Sequence, residues 1–213
     1  MDAVARMNDL YRYQRHFYDV TRRTFLFGRD TLLSRMSLRP EDRVLEVGCG
    51  TARNLLKLHE RRGPLQLYGL DASSEMLETA HRKLARRGLA SRIRLAHGLA
   101  EDLDTERLFD VSGFDAVFFS YSLSMIPECT RSLDAALHAL KAGGSLYIVD
   151  FCDQAAFHPA LQKPLKAWLG LFGVAHRQEL HPHLSALADA GLGTLRSEPF
   201  AARYGMHIEF TKA

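Results

Sequence analysis

The sequence predicts an α/β fold: a doubly wound, mostly parallel seven-stranded sheet with an antiparallel edge hairpin and an N-terminal helical cap. Short runs rich in β-branched or aromatic residues at 44–48, 65–70, 92–97, 114–121 and 145–150 alternate with segments of helical periodicity. Parallel neighbours need a covering helix and a right-handed crossover, so five such strands in series fold into an open sheet wound on both faces. Beyond 151 the pattern changes to a stretch rich in Pro, His and Trp, then a helix near 181–190 and weaker strands near 193–200 and 206–211, read as the edge hairpin.

Each element has its own signal. Residues 9–36 read as a helical preface broken near Gly28, with Leu10, Tyr13, Phe17 and Val20 in one apolar stripe. Tyr11, Arg15, Tyr18, Arg22 and Arg29 fall on another face. The strand LQLYGL ends at Asp71 and leads into SSEMLETAHRKLARRG, where Met76, Leu77, Ala80 and Leu84 recur at helical spacing and Gly88 can stop the helix. The expected organisation is a helical cap over 1–40 and one main domain over 41–213, with 152–213 completing the sheet.

Composition narrows the class. With 213 residues, 46% hydrophobic and 25% charged, the chain can bury one substantial core. The net charge is +3, and residues 1–40 carry eight Arg against four Asp, so the front end is the basic end. That asymmetry fits a solvated helix or contact with an anionic surface and does not call for nucleic acid. Cys49, Cys129 and Cys152 lack CxxC spacing, which argues against a disulfide framework or zinc knuckle and for a reducing, cytoplasmic setting. His16, His158, His176 and His181 are too scattered for a metal site, so no metal is expected. The start, MDAVARMNDLYRYQ, lacks a signal-peptide core, and no run approaches the roughly 18 apolar residues of a spanning helix; any membrane contact is expected to be peripheral.

The chemistry centres on RVLEVGCGTARN, residues 43–54. Two glycines after a strand let the backbone turn sharply and approach a ligand closely. A dinucleotide loop would place a third glycine at 53, where Arg53 stands, so pyrophosphate binding loses ground. An acid at the end of the next strand, Asp71, is placed to accept from ribose hydroxyls, the competing role being a helix N-cap that Ser73 or Ser74 could also fill.

The pattern Glu46-x-Gly48-x-Gly50 resembles motif I of the class I S-adenosylmethionine-dependent methyltransferases, whose sheet is Rossmann-like. The resemblance implies that Glu46 holds the methionine end of the donor, that the Gly48, Cys49 and Gly50 backbone passes beneath it with Asn54 nearby, and that Asp71 and Ala72 meet the ribose. Ala52 departs from the glycine often found there. Met76 would cover the adenine face, core packing being the equal alternative. RIRLAHGLAEDL then places Ala100 and Glu101 at the adenine edge, and FDAVFFSYSLSMIP resembles motif IV, its strand ending at Ser120 and Tyr121 beside the transferred methyl group. LKAGGSLYIVDF is similar to the family's turn and fifth strand.

A narrower resemblance, to the methyltransferases that convert diacylglyceryl-homoserine to its trimethylated betaine lipid, rests on YRYQRHFYDVTRRTFLFGRD, SYSLSMIP, VDFCDQ and WLGLFGVAHRQEL. Here Cys152 stands where a glycine is expected and Ala175 where a proline is expected. It implies successive N-methylation of a lipid headgroup, with Tyr121, Tyr18 and Asp150 binding the amine and Arg22, Arg23 or Arg177 taking the headgroup carboxylate. The upstream aminocarboxypropyl transferase becomes an expected partner, and the membrane inner face an expected place of work. The alternatives are another amine acceptor such as phosphatidylethanolamine, or a noncatalytic nucleoside-binding scaffold.

Overall fold

Val44, Leu45 and Val47 are completely enclosed, as a central parallel strand covered by helices on both faces requires. That strand, β1 (Arg43–Val47), lies between β2 (Gln66–Asp71) and β4 (Phe114–Ser120). Outside them come β3 (Ile93–His97) on one side and, on the other, β5 (Leu140–Phe151), β7 (Gly205–Lys212) and β6 (Gly193–Phe200), giving the order β3-β2-β1-β4-β5-β7-β6. The first five strands are mutually parallel, and β7 runs antiparallel to both β5 and β6. This is the predicted fold class. The computed structural model describes residues 25–170 and 174–213; Leu10, Tyr11, Tyr13, Arg15, His16, Phe17, Tyr18, Val20, Arg22, Arg23, Leu171 and Phe172 lie outside that range.

After β3 the chain returns to the far side of β1 to build β4. The carboxyl ends of β1 and β4 therefore flank the point where the winding reverses, where an open α/β sheet leaves a crevice. Helices α1 (Arg29–Arg35), α2 (Arg53–Arg61), α3 (Ser74–Arg86) and α6 (Pro159–Gly170) share one core layer through Leu32, Leu55, Leu77 and Leu169. Helices α4 (Thr105–Phe109), α5 (Cys129–Ala139) and α7 (Leu180–Asp189) share the other through Phe109, Leu133 and Leu184.

The sequence reading needs adjusting at the start of β5. Strand β5 begins at Leu140, not 145: Phe114 pairs with Leu140 and Ala116 with Ser145, so a bulge containing Gly143 (φ 73°) absorbs the apparent turn. Among the described residues the preface breaks at Gly28 (φ 79°), as the sequence reading has it, immediately before α1, and a Cβ there would meet Phe200 at 2.6 Å. Phe25, Leu26, Leu32, Leu33 and Met36 belong to the same core layer as the sheet, so the described part of the cap is packed into the main body.

Candidate active site

The glycine loop grows out of β1 and closes on β2. The N–H groups of Gly48 and Cys49 both donate to Leu70 O, at 2.8 and 3.0 Å, and that of Gly50 donates to Asp71 Oδ2 at 2.7 Å. The glycines differ in purpose. A Cβ on Gly48 (φ 76°) would stand 2.4 Å from that of Ser122, so this glycine lets the loops after β1 and β4 touch; Ser122 Oγ also donates to Val47 O. A Cβ on Gly50 (φ 53°) would meet nothing within 4 Å. Ala52 sits in the left-handed region (φ 59°) where the family's glycine would be unstrained.

Glu46, one residue from the end of β1, is buried; its Oε1 accepts from Asn54 Nδ2 at 2.6 Å and its Oε2 is enclosed without a hydrogen-bond partner. Burial pushes its carboxyl up to about 8. Asn54 thus acts here as the holder of Glu46. At the end of β2, Asp71 Oδ1 accepts from Ser73 N at 2.9 Å, while Ser73 Oγ caps α3 through Met76 N, so the N-cap role falls to Ser73. Met76 and Ala100 are buried, Ala72 and Glu101 half-buried, and His97 Nε2 meets Ala72 O at 3.1 Å. Cys49 is buried against Gly69, its thiol pushed well up by burial and so kept protonated.

Across the crevice, Tyr121 follows β4 in a left-handed conformation (φ 57°), with its N–H on Val149 O. Its ring meets the edge of Phe151 at 4.7 Å, and Phe151 meets Tyr204 at 5.6 Å. Burial, then Asp150, push its phenol far above the ordinary range, so it stays a hydrogen-bond donor. Ser120 Oγ is enclosed without a partner. Asp150, whose carboxyl burial pushes up to about 6, accepts from Ser124 N at 3.1 Å and Phe151 N at 2.8 Å. Arg177 donates to Leu123 O (3.1 Å) and Ile126 O (2.6 Å). These two residues brace the short turn Leu123–Met125 after β4, Asp150 through a backbone N–H and Arg177 through backbone carbonyls. Ala175 donates its N–H to Ser124 O at 3.0 Å, a bond that the proline expected at 175 could not make.

Over this end lies the segment before α1, held by its main-chain carbonyls. Tyr204 donates to Phe25 O (2.9 Å), Tyr121 to Phe27 O (2.5 Å) and His207 Nε2 to Gly28 O (2.9 Å). Burial holds His207 below its ordinary value, which keeps the ring neutral, with Nδ1 turned to Arg35. Behind it, Asp30 pairs with Arg53 (3.1 Å) and Lys57 (2.5 Å) on α2, and Arg62 donates to the last carbonyls of α1. Arg29 lies close enough to feel both Glu46 and Tyr121, its guanidinium lowered to about 10 by burial and by Arg53.

Residues 44–144 match the family model described as a methyltransferase domain. They form a class I S-adenosylmethionine-dependent methyltransferase domain. The demethylmenaquinone methyltransferase of Geobacillus kaustophilus is 33% identical over 153 residues, covering 71% of this chain and 59% of that protein. The carboxy-S-adenosyl-L-methionine synthase of Campylobacter hominis is 34% identical over 98 residues, 45% of this chain and 38% of that one. Among solved structures, phosphoethanolamine N-methyltransferase 2 of Haemonchus contortus, in complex with phosphomonomethylethanolamine and S-adenosylhomocysteine, shares the fold with a TM-score of 0.74 at 15% identity, over 95% of this chain and 59% of that one. The chain spans 38% to 59% of the length of the first four curated relatives it matches. These relatives are quinone-precursor methyltransferases and carboxy-S-adenosyl-L-methionine synthases, and they give the narrower, betaine-lipid resemblance no support.

The residues of the methyltransferase domain suit this donor. An enclosed carboxylate oxygen on Glu46 calls for a cationic partner, and the donor carries an ammonium and a sulfonium. Open space above Gly50 admits a ligand against the loop. A carboxylate accepts about four hydrogen bonds, so Asp71 can hold the loop and still accept from a ribose. Among the described residues no group of three His, Cys, Asp or Glu side chains is placed to hold a metal ion. Sequence reading missed Tyr204, His207 and the placement of Arg29. The first two act on residues 179 positions away, beyond any local pattern.

Proposed function

We propose that this chain is an N-methyltransferase that methylates the amine of diacylglyceryl-homoserine stepwise, using S-adenosylmethionine, to the trimethylated betaine headgroup. The observation that carries the reading is the edge-to-face cluster of Tyr121, Phe151 and Tyr204 at the carboxyl ends of β4 and β5, with the buried Asp150 carboxylate close enough to act on the Tyr121 phenol. Ring faces and a carboxylate tolerate an acceptor whose cationic charge becomes permanent as methyls accumulate. Bound across the glycine loop, the donor supplies an electrophilic methyl group on sulfur. The amine forms its N–C bond as the C–S bond breaks toward sulfur, and must first shed a proton, since ammonium groups titrate at about 8 to 10. Correct placement alone is worth roughly 7 to 11 kcal/mol, so a strong general base is not required. Asp150, tied to two backbone N–H groups, is better suited to fix the turn after β4 and supply negative charge than to shuttle protons. Of the three arginines expected to hold the headgroup carboxylate, Arg177 is bonded to Leu123 O and Ile126 O, while Arg22 and Arg23 lie outside the described residues. The upstream aminocarboxypropyl transferase is the natural supplier of the acceptor.

A second reading, C-methylation of a quinone precursor, is favoured by the names of the relatives. Incubation with labelled donor and, separately, purified diacylglyceryl-homoserine, phosphatidylethanolamine and demethylmenaquinone decides between them. Mass gains of one, two and three methyl groups on the homoserine lipid are expected. Methylation of the quinone alone, or of phosphatidylethanolamine alone, replaces the assignment. If neither S-adenosylmethionine nor S-adenosylhomocysteine releases heat or protects against unfolding, the noncatalytic reading gains.

A further inference from the structure

We propose that the mouth of this site docks on an anionic lipid bilayer through Phe27, Trp168, Lys163 and Lys166. The large exposed hydrophobic residues among those described are Phe27 (51%), Trp168 (39%) and Leu192 (54%). Leu192 precedes β6, whose first residue pairs with Lys212, at the sheet end opposite the site. The two aromatics flank the segment before α1 at the carboxyl ends of the parallel strands: Phe25, two residues before Phe27, meets Trp168 edge-on at 4.9 Å, and Phe27 meets Tyr204 at 5.6 Å.

These are rigid knobs. Phe25 and Phe27 have their carbonyls bonded to Tyr204 and Tyr121, and Leu169, beside Trp168, is 3% exposed in the core. Helix α6 carries its outward face on Lys163, Pro164 and Ala167, with Lys166 and Trp168 on the flanks, and has no acidic residue. The nearby Asp153 is neutralised by the fork of Arg203, at 2.7 and 2.6 Å, so the lysines leave this surface positive. Aromatic rings settle at the headgroup level while lysine stems run along the apolar boundary with their ammonium groups in water. Positive charge flanking aromatic anchors fits an anionic bilayer better than a neutral one. No described helix is long and apolar enough to cross a membrane, so contact of this kind is lateral. The purpose of docking rests on the lipid-headgroup reading; the test does not.

The full chain is sedimented with vesicles of phosphatidylcholine alone and of equal parts phosphatidylcholine and phosphatidylglycerol, both free of any acceptor lipid. Binding to the mixed vesicles is expected, weaker by about tenfold or more for Lys163→Glu/Lys166→Glu and for Trp168→Ser. Thermal protection by S-adenosylhomocysteine should be unchanged in both variants, which shows the domain intact. No binding to mixed vesicles, equal binding to neutral ones, or binding untouched by the substitutions would overturn the proposal. Vesicle binding without headgroup methylation in detergent micelles supports the docking surface and rejects the lipid acceptor. Methylation in micelles without vesicle binding rejects the surface and keeps the acceptor.

Discussion

Glu46 shows how a single enclosed carboxyl couples stability to ligand binding. Its folded value of about 8 lies above the ordinary 4.5, so between those limits the folded chain keeps a proton that the unfolded chain releases. Stability of the ligand-free protein should therefore fall as pH rises from 4.5 to 8, by up to about 1.4 kcal/mol per unit. Asp150, raised to about 6 from 3.8, adds to the fall in the lower part of that window. Urea melts at pH 5 and pH 8 should show a smaller difference for Glu46→Gln than for the parent, together with weaker donor binding. The two loop glycines should separate just as cleanly. Gly48→Ala, facing Ser122, should lower stability by roughly 2 kcal/mol or more, whereas Gly50→Ala, facing open space, should cost about 1 kcal/mol and act mainly on donor affinity. Asp71→Ala should weaken donor binding by roughly 1 to 3 kcal/mol in calorimetry. Of these residues Glu46, Gly48, Gly50 and Asp71 were legible in the sequence, because a strand, a turn and a second strand fix their spacing locally. The roles of Asn54 and Ser122 were not, because hydrogen-bond partners and Cβ clearances emerge only when two loops meet.

The helix α1 and the four residues before it depend on contacts that run in both directions from the sheet. Asp30 faces cations on α2, a partly exposed cluster worth about 1 kcal/mol, while three side chains hold the carbonyls of Phe25, Phe27 and Gly28. Removing one hydroxyl by Tyr121→Phe deletes a bond worth about 0.5 to 1.5 kcal/mol. Amide hydrogen exchange over 28–33 should accelerate several-fold while β1 and β4 remain as protected as before; uniform acceleration would mean that the substitution loosens the whole fold. The alternation of strands and helices was readable because each crossover obeys its own period. The bulge at the start of β5 was hidden: Lys141-Ala142-Gly143-Gly144 looks like a turn, and only pairing of Phe114 with Leu140 makes it strand.

At the scale of the molecule, the site lies where two core layers and both halves of the sheet converge, so filling it should stabilise the whole. At about 100 times its dissociation constant, a ligand adds about 2.7 kcal/mol, which for a chain of this size corresponds to roughly 5 to 11 °C in melting temperature. S-adenosylhomocysteine should produce a shift of that order in calorimetric scans, and much less with Asp71→Ala. Of the basic front end, legible as charge alone, the described Arg35 acquires its partner only in three dimensions, where it meets Glu198 on β6. Because the latch over the crevice grips carbonyl groups that every amino acid possesses, the ring at position 27 can be exchanged without removing the latch's acceptor. The strength of docking can then be tuned there while the segment stays in place, whereas a change at Tyr121, Tyr204 or His207 would strike the fastening itself.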